Sequence, residues 1–345
     1  MKIPKNLKLD ALQHLAFHCG LSKTGTKQLL AQRLRTTARE YEPLPPDARV
    51  LSIDLGLRNF AFSLMTPGPD RRKHGPLIHL HAWQHVNLLL AGSTNKAASS
   101  DIESGSPDFS PGIMAQRATE LVHDRLLPLR PTHILIERQR WRTAGRPSVQ
   151  EWTIRVNTLE AMLYGIFATL QARGLWDGKV IPIPPARVVR YLIGDGGMGR
   201  DLFSRRKTPL LLEERISTGP ETPEVDPVTS SRGRKPTSAD AKIEKIRLLQ
   251  EVLNRGDAIG FITPEADIGR LQFSNEAGAK PSGKKSTKKA AEGVTGVGQE
   301  AGNVSRLTKR DDLSDCLFQG VTWLEWQDNI ESLRKTHPWV LDDGG

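Results

Sequence analysis

The stretch Val50-Leu51-Ser52-Ile53-Asp54-Leu55-Gly56-Leu57-Arg58-Asn59-Phe60-Ala61-Phe62-Ser63-Leu64-Met65 ends one apolar run in a carboxylate and, after a glycine, returns in a second apolar run. This pattern predicts a β-hairpin with Asp54 at the end of its first strand. An ionised carboxylate in so apolar a strand costs free energy unless a cation or hydrogen-bond donors compensate it. Two interpretations of Asp54 are therefore open from this stretch: a metal ligand, or an Asx residue that caps the turn.

A second predicted strand, His133-Ile134-Leu135-Ile136-Glu137, also ends in a carboxylate. Directly after it the chain is dense in arginine, with one aromatic residue, Trp141, among the charges. Guanidinium groups bind phosphates through paired hydrogen bonds, and an indole ring offers a stacking surface for a base. The alternative is ion pairing on a solvated loop. The predicted DNA-binding residues of this segment are Arg138, Gln139, Arg140, Arg142 and Arg146.

A third acidic group lies late in the chain, in Lys309-Arg310-Asp311-Asp312-Leu313-Ser314-Asp315-Cys316. The apolar spacing here predicts a helix, on which Asp311 and Asp315 are one turn apart and Asp312 and Asp315 are neighbours at i, i+3. Acidic residues favour helix N-termini through the helix dipole, which is the simpler interpretation. Three carboxylates in five residues exceed what capping requires.

The three acidic groups converge if the two strands are neighbours and the late helix packs across them. A cage of carboxylate oxygens suits Mg²⁺ or Mn²⁺, which prefer hard oxygen ligands and substrate phosphates. Two such ions about 4 Å apart activate water and stabilise the leaving oxygen of a phosphodiester. An acidic, metal-binding pocket in a basic protein is what a nuclease needs.

The charge balance supports a polyanionic partner. The 345 residues include Lys+Arg 49 against Asp+Glu 39, a formal net charge of +10, which favours nucleic acid first and acidic membrane surfaces second. Two cysteines, Cys19 and Cys316, are too few for a disulfide scaffold and lack the spacing of a zinc knuckle. No apolar run approaches the roughly 20 residues of a membrane span, so no membrane partner is expected.

Residues 6–41 predict a helical hairpin, broken at Gly20-Leu21-Ser22 and resumed near Thr26. The run from Leu12 to Leu34 resembles the SAP motif, a small DNA-binding helical module, so residues 1–41 are expected to form a SAP-like DNA-binding module. A solvated basic hairpin is the alternative. Residues 42–48, rich in proline, predict a linker, and residues 49–345 a second domain. The predicted phosphate contacts of the hairpin are Lys23, Lys27 and Arg33.

Further elements and insertions alternate along the second domain. Helical spacing over 148–174 predicts a long amphipathic helix, which is either a dimer face, our candidate, or a core helix, and 239–254 predicts another helix. Segments near 91–112, 217–237 and 275–305 have the composition of flexible insertions. His79, His81 and His85 share one face of a predicted strand, which either a metal site or a solvated face explains. The G-x-G-x-x-G match at 194–199 follows no apolar strand and is interpreted as a loop.

The order of these motifs along the chain resembles that of a known protein family. A hairpin with Asp54-Leu55-Gly56, a strand ending in Glu137-Arg138-Gln139 and a late helix with Asp311-Asp312-x-x-Asp315 is similar to the RNase H-like superfamily. It most resembles the fungal mitochondrial Holliday junction resolvases, relatives of bacterial RuvC that also carry an N-terminal SAP-like segment. The resemblance implies an α/β fold with a mixed five-stranded sheet flanked by helices, and a homodimer that resolves four-way DNA junctions by paired, symmetric nicks.

The same resemblance implies a cofactor, a site and a compartment. Mg²⁺ or Mn²⁺ is expected, with two ions per active site, and the mitochondrion is the implied location, although the chain shows no clear presequence. Helical geometry leaves the choice between Asp311 and Asp312 open. The implied metal ligands and catalytic residues are Asp54, Glu137, Asp311 or Asp312, and Asp315.

Two other functions stay open at this point. An actin- or chaperone-like ATPase also begins with a hairpin containing Ile-Asp-Leu-Gly, and Asp195-Gly196-Gly197 imitates its second phosphate loop. Such an ATPase does not require the acidic residues at 311–315 or the arginines after Glu137. A non-catalytic SAP-type DNA-binding protein is the other alternative, in which Asp54 and Glu137 are structural.

Overall fold

A mixed six-stranded sheet forms the centre of the protein. The computed structural model describes residues 7–68, 77–89, 108–139, 150–194, 199, 238–266 and 297–342. The strand order is β5-β4-β1-β2-β3-β6, in which β1 pairs antiparallel with β2 and parallel with β4. The strands are β1 (Val50–Asp54), β2 (Phe60–Pro67), β3 (Ile78–Val86), β4 (His133–Glu137), β5 (Lys179–Ile183) and β6 (Ile259–Phe261).

Helices cover both faces of this sheet because successive strand residues point to opposite sides. Leu51 and Ile53 pack with α3 and α4 on one face, whereas Val50 and Leu135 pack with α5, α6 and α7 on the other. None of the helices in the described part of the chain is long and apolar enough to cross a membrane. The helices are α1 (Leu9–His18), α2 (Lys27–Glu40), α3 (Pro111–Glu120), α4 (Glu151–Ala172), α5 (Pro185–Ile193), α6 (Ser238–Arg255) and α7 (Val297–Thr336).

Helix α7 is fixed across β1 and β4 by a buried side chain and a glycine. Gln319 Nε2 donates to Ser52 Oγ at 3.0 Å and to the Ile53 carbonyl at 3.1 Å. A Cβ on Gly320 would lie 2.4 Å from Met65 Cε and 3.2 Å from Ser52 Cβ, so a larger residue would require the Met65 side chain to move and would crowd the sheet. These contacts hold the segment of α7 that begins at residue 310, where its side chains are first described, over the carboxyl ends of β1 and β4.

The N-terminal hairpin of α1 and α2 shares a core with the end of α7. Leu12, Leu15 and Leu34 are fully buried in a cluster that includes Leu333 and Val340. Polar contacts tie the same regions together, since Asn329 Nδ2 donates to the His18 carbonyl at 2.9 Å and Arg35 Nε donates to the Trp339 carbonyl at 3.2 Å. The hairpin is thus packed against the C-terminal end of the chain.

The mixed sheet flanked by helices is confirmed, with differences at three places. A sixth strand, β6, extends the expected five by pairing parallel with the edge strand β3. Helix α3 begins at Pro111 and helix α7 at Val297, inside the ranges 91–112 and 275–305 predicted as insertions. Helices extend readily from a packed segment because each added residue gains a backbone hydrogen bond. The segment 217–237 and the centre of the glycine motif, 195–198, lie outside the described residues.

Candidate metal centre

Asp54 and Glu137 meet because their strands are adjacent and in register. Ile53 pairs with Ile136 in the parallel ladder of β1 and β4, so the next residue on each strand is an acid. Neighbouring strands are about 4.8 Å apart, and residues in register point to the same face. Their carboxyl groups lie close enough to share a hydrogen bond. The two strand-end acids predicted from separate stretches of sequence therefore form one pair.

Helix α7 adds two more carboxylates to this pair. Asp312, Asp315 and Gln319 lie at i, i+3 and i+7, a spacing that places them on one side of a helix. Because Gln319 is bound to the ends of β1 and β4, this side faces the strand-end acids. The charges of Asp315 and Asp312 both raise the pKa of Asp54, as expected of close neighbours.

Asp311 has a different environment. Its side chain is 5% exposed and faces helix α6, where Lys242 Nζ lies 2.5 Å from Oδ2 and Lys245 Nζ lies 3.0 Å from Oδ1. Lys245 also pairs with Asp315 and is itself only 6% exposed. Lys245 thus lies between Asp311 and the carboxylates over the sheet.

The carboxylates on the sheet side hold protons more tightly than usual. Burial raises the pKa of Asp54 well above its usual value, and the neighbouring Glu137 carboxyl raises it further. Burial also raises the pKa of Asp312 to about 8, with a contribution from the charge of Asp311. Burial raises the pKa of Asp315 to about 7 although Lys245 acts in the opposite direction. These shifts show a cluster of negative charge without enough positive charge to balance it.

The donor set fits a divalent cation. Asp312 Oδ2 is buried and makes no hydrogen bond. The neighbouring Glu137 carboxyl raises the pKa of Asp54, so a bound cation would compete with a proton on this pair. Over the residues with a described position, no three His, Cys, Asp or Glu side chains converge on one point as a preformed metal cage. The Lys245 ammonium pairs with an Asp315 oxygen that a metal would use.

The histidines of β3 have separate partners. His81 Nε2 lies 3.1 Å from Thr66 Oγ1, a contact on the side away from the acids. His85 Nε2 lies 3.3 Å from Asn59 Oδ1 and 4.0 Å from Asp312 Oδ2, which places this ring at the border of the acidic cluster. His85 is therefore a neighbour of the site, and no histidine cluster forms among the residues that the structure describes.

The basic residues predicted to contact DNA fall into two groups. On the hairpin, Lys23 Nζ lies 5.3 Å from the centre of the Phe17 ring and Lys27 opens α2. Arg33 donates to the carbonyl oxygens of Ser22 and Thr24, at 3.1 and 2.5 Å. Arg33 therefore has a structural role in closing the turn of the hairpin, whatever else it binds.

The second group follows β4. Arg138 N donates to the Ile183 carbonyl at 2.9 Å, and Gln139 N donates to Glu160 Oε2 at 3.3 Å. These bonds hold the chain beside β5 and α4 as it leaves the acidic cluster. The three other predicted contacts, Arg140, Arg142 and Arg146, lie outside the described residues.

Sequence reasoning missed Lys245, although the sequence contains a signal. Lys245, Leu249 and Val252 lie at i, i+4 and i+7, so the lysine belongs to the apolar side of α6 that packs against the core. A lysine inside such a stripe is rarely buried without a charged partner. Ile243, at a different position around the same helix, is 62% exposed.

Comparison with known proteins places the chain among fungal relatives. The chain is 35% identical over 160 residues to mitochondrial cruciform cutting endonuclease 1 of Schizosaccharomyces pombe, covering 46% of this chain and 55% of that protein. That alignment spans only about half of the relative's length. The protein of the same name from Saccharomyces cerevisiae is 25% identical over 344 residues, covering 95% of this chain and 84% of the relative.

A solved structure and a family profile extend this similarity. The crystal structure of the yeast mitochondrial Holliday junction resolvase Ydc2 matches with a TM-score of 0.55 at 23% identity, over 96% of this chain and 98% of that chain. This likeness supports the RNase H-like fold that the motifs implied. The profile of the family described as "Mitochondrial resolvase Ydc2 / RNA splicing MRS1" matches residues 50–333, which include all five candidate acids. The chain belongs to this mitochondrial resolvase Ydc2 / RNA splicing MRS1 family.

Proposed function

We propose that this protein is a mitochondrial endonuclease that resolves four-way DNA junctions by paired, symmetric hydrolysis of phosphodiesters. The observation that carries the proposal is the gathering of Asp54, Glu137, Asp312 and Asp315 at the carboxyl ends of β1 and β4. Membership of a resolvase family supports the reaction, and relatives named as mitochondrial cruciform cutting endonucleases support the substrate and the compartment.

We assign the metal ligands to Asp54, Glu137, Asp312 and Asp315. Asp312 shares a helix side with Asp315 and Gln319, the side that faces the strand-end acids. Asp311 is instead paired with Lys242 and Lys245. We therefore propose Asp312 as the metal ligand of the two, with Asp311 as a positioning residue for Lys245.

Resolvases of this fold use divalent metal ions, and we propose Mg²⁺ or Mn²⁺, with two ions in each site. Carboxylate oxygens are the ligands that these ions prefer. Bound ions would supply activation of the attacking water and stabilisation of charge on the phosphodiester oxygens. The chain's own acids would hold them, since four carboxylates in one place balance the charge of two divalent cations.

The assembly is proposed to be a homodimer on four-way DNA. A junction has approximate two-fold symmetry, so two sites related by a two-fold axis can cut opposed strands. Helix α4 is the proposed dimer face, and near its start Trp152 and Ile154 are 40% and 49% exposed. Lys23, Lys27, Arg33, Arg138 and Gln139, with Arg140, Arg142 and Arg146, are the proposed DNA contacts.

The test is cleavage of a labelled four-way junction and a matched linear duplex with Mg²⁺, Mn²⁺, Ca²⁺ or EDTA. We expect paired nicks at symmetric positions in two opposed strands of the junction, only with Mg²⁺ or Mn²⁺, and little cutting of the duplex. Glu137→Gln should bind the junction without cutting it. Asp124→Asn, which changes an exposed acid in the α3 and α4 layer, serves as the matched control and should cut normally.

Binding without cleavage by the wild-type protein would instead favour the non-catalytic alternative. Because the family description also names an RNA-splicing protein, a structured RNA belongs in the same experiment as a competitor. Preference for that RNA over the junction would contradict the proposed substrate.

A further inference from the structure

Arg187 was not among the basic residues that the sequence singled out. It lies in the first turn of α5, half-buried, and its Nη1 donates to the Gly20 carbonyl of the N-terminal hairpin at 3.0 Å. Burial lowers the pKa of Arg187, and the charges of Arg33 and Arg138 lower it further. The part of this pKa shift that Arg33 and Arg138 cause is repulsion between like charges.

Backbone geometry explains why these three arginines are neighbours. Arg33 binds the carbonyls of Ser22 and Thr24, in the same turn whose Gly20 carbonyl binds Arg187. The hairpin turn is therefore held by one guanidinium from its own α2 and one from α5. Both groups face a single short segment of chain.

Arg138 approaches the same place from β4. Its backbone N–H binds the carbonyl of Ile183, the last residue of β5, and α5 begins two residues later at Pro185. The carboxyl ends of parallel strands meet at one edge of a sheet, so Arg138 and Arg187 lie at the edge that carries Glu137. The three arginines thus connect the hairpin with the acidic cluster.

These positive charges lack the usual compensation. Within the ranges that the structure describes, no carboxylate lies within salt-bridge distance of the three guanidinium groups. The charge of Arg138 lowers the pKa of the Glu160 carboxyl, although burial raises it overall, and no ion pair joins the two. When an oxyanion binds between guanidinium groups that repel one another, the electrostatic stabilisation is large. Phosphate suits the planar, paired donors of these groups.

We propose that Arg33, Arg138 and Arg187 form a binding site for a backbone phosphate of the DNA substrate, between the N-terminal hairpin and the catalytic acids. This inference rests on the proposed function for its substrate. A strand whose scissile phosphate lies at Glu137 must pass Arg138, the next residue, and it then meets Arg187 and the turn of the hairpin. The site fixes the direction in which one DNA arm leaves the catalytic edge.

The experiment measures binding of a fixed four-way junction and a duplex by fluorescence anisotropy in EDTA, across a series of salt concentrations. Loss of one phosphate contact reduces the slope of log K against log[salt] by about 0.9, which is about an eightfold loss of affinity at 0.1 M relative to 1 M salt. We expect this change for Arg187→Gln on both DNAs. Arg190→Gln is the matched control, since Arg190 is an exposed arginine on the same helix, and it should leave the slope unchanged.

A second variant separates charge from structure. Arg187→Lys keeps the positive charge but alters the bond to Gly20, so it should retain most of the wild-type slope and a similar melting temperature. Equal slope changes for Arg187→Gln and Arg190→Gln would overturn the proposal, because the effect would then be one of diffuse charge. A slope for Arg187→Lys as low as that of Arg187→Gln would also overturn it. Binding in EDTA does not depend on cleavage, so failure of the proposed reaction would be seen separately, as absent nicks in Mg²⁺.

Discussion

Neighbouring carboxylates on the two sides of α7 have different surroundings. On the side that faces the sheet, Asp312 and Asp315 lie beside Asp54 and burial raises their pKa values. On the side that faces α6, Asp311 is buried against two lysines. A buried acid with a matched cation stabilises the fold, whereas within the described part of the chain Asp54 and Asp312 have no lysine or arginine partner and Asp315 shares Lys245 with Asp311. We therefore expect the role of each acid to depend on the groups that face it.

The largest effect is expected from removing an acid on the sheet side. Asp54→Asn, Glu137→Gln or Asp315→Asn should reduce junction cleavage by about a thousandfold or more, the order of magnitude for losing a major electrostatic contribution to catalysis. Junction binding in EDTA should remain within about threefold of wild type, because phosphate contacts come from basic residues elsewhere. Single-turnover cleavage and anisotropy measure the two quantities. Cleavage at wild-type rates by any of the three variants would remove that residue from the site.

The next largest effect separates Asp312 from Asp311. Asp312→Asn should lower cleavage by about a hundredfold or more while leaving the melting temperature equal or higher, since it relieves repulsion between buried acids. Asp311→Asn should instead cost about 1–3 kcal/mol of unfolding free energy, because Lys245 loses one of its buried partners. Denaturant unfolding and single-turnover cleavage of both variants test this contrast. If Asp311→Asn abolishes cleavage without loss of stability, the assignment of the two acids is reversed.

This contrast also marks where sequence reasoning ends. Local apolar patterns predict the β-hairpin of β1 and β2, the strand that ends at Glu137 and the helix that carries the late acids. The structure confirms all three elements. The pairing of Asp54 with Glu137 needed only the assumption of adjacent strands. The difference between Asp311 and Asp312 is one of helix rotation, which depends on Gln319 binding the strand ends and on lysines from a helix some 70 residues earlier. Local pattern holds no information about such long-range contacts.

The acids on the sheet side of α7 should make both the stability of the protein and its affinity for metal depend on pH. The pKa values of Asp312 and Asp315, about 8 and about 7, exceed those of the unfolded chain, so the metal-free folded state binds the additional protons. Its stability therefore falls as the pH rises from the ordinary range of aspartate towards 8. A divalent ion displaces the same protons, so its affinity should rise between pH 6 and 8 by up to about tenfold per pH unit for each proton released.

Calorimetric titration with Ca²⁺ or Mn²⁺ in buffers of different ionisation enthalpy gives both the affinity and the number of protons released. Thermal unfolding in EDTA at pH 5.5 and pH 8 gives the stability change. An affinity that does not vary with pH would show that the sheet-side acids are already ionised in the metal-free protein. The unbalanced charge inferred for that side would then be wrong.

The smallest effect concerns Lys245, the residue at the border between the two sides. Because its ammonium group is buried and pairs with Asp315, it occupies a proposed metal ligand whenever the metal is absent. Lys245→Met removes this competing cation with little change in volume, and the affinity for Mn²⁺ should rise about tenfold, which is about 1.4 kcal/mol. Lys242→Met is the matched control: Lys242 pairs with Asp311, is 54% exposed, and should change the affinity by less than about threefold. Lys245→Arg, which keeps the charge, should stay near wild type. Weaker metal binding by Lys245→Met would mean that Lys245 holds Asp315 in position for the metal instead of competing with it, and calorimetry at one fixed pH distinguishes the two.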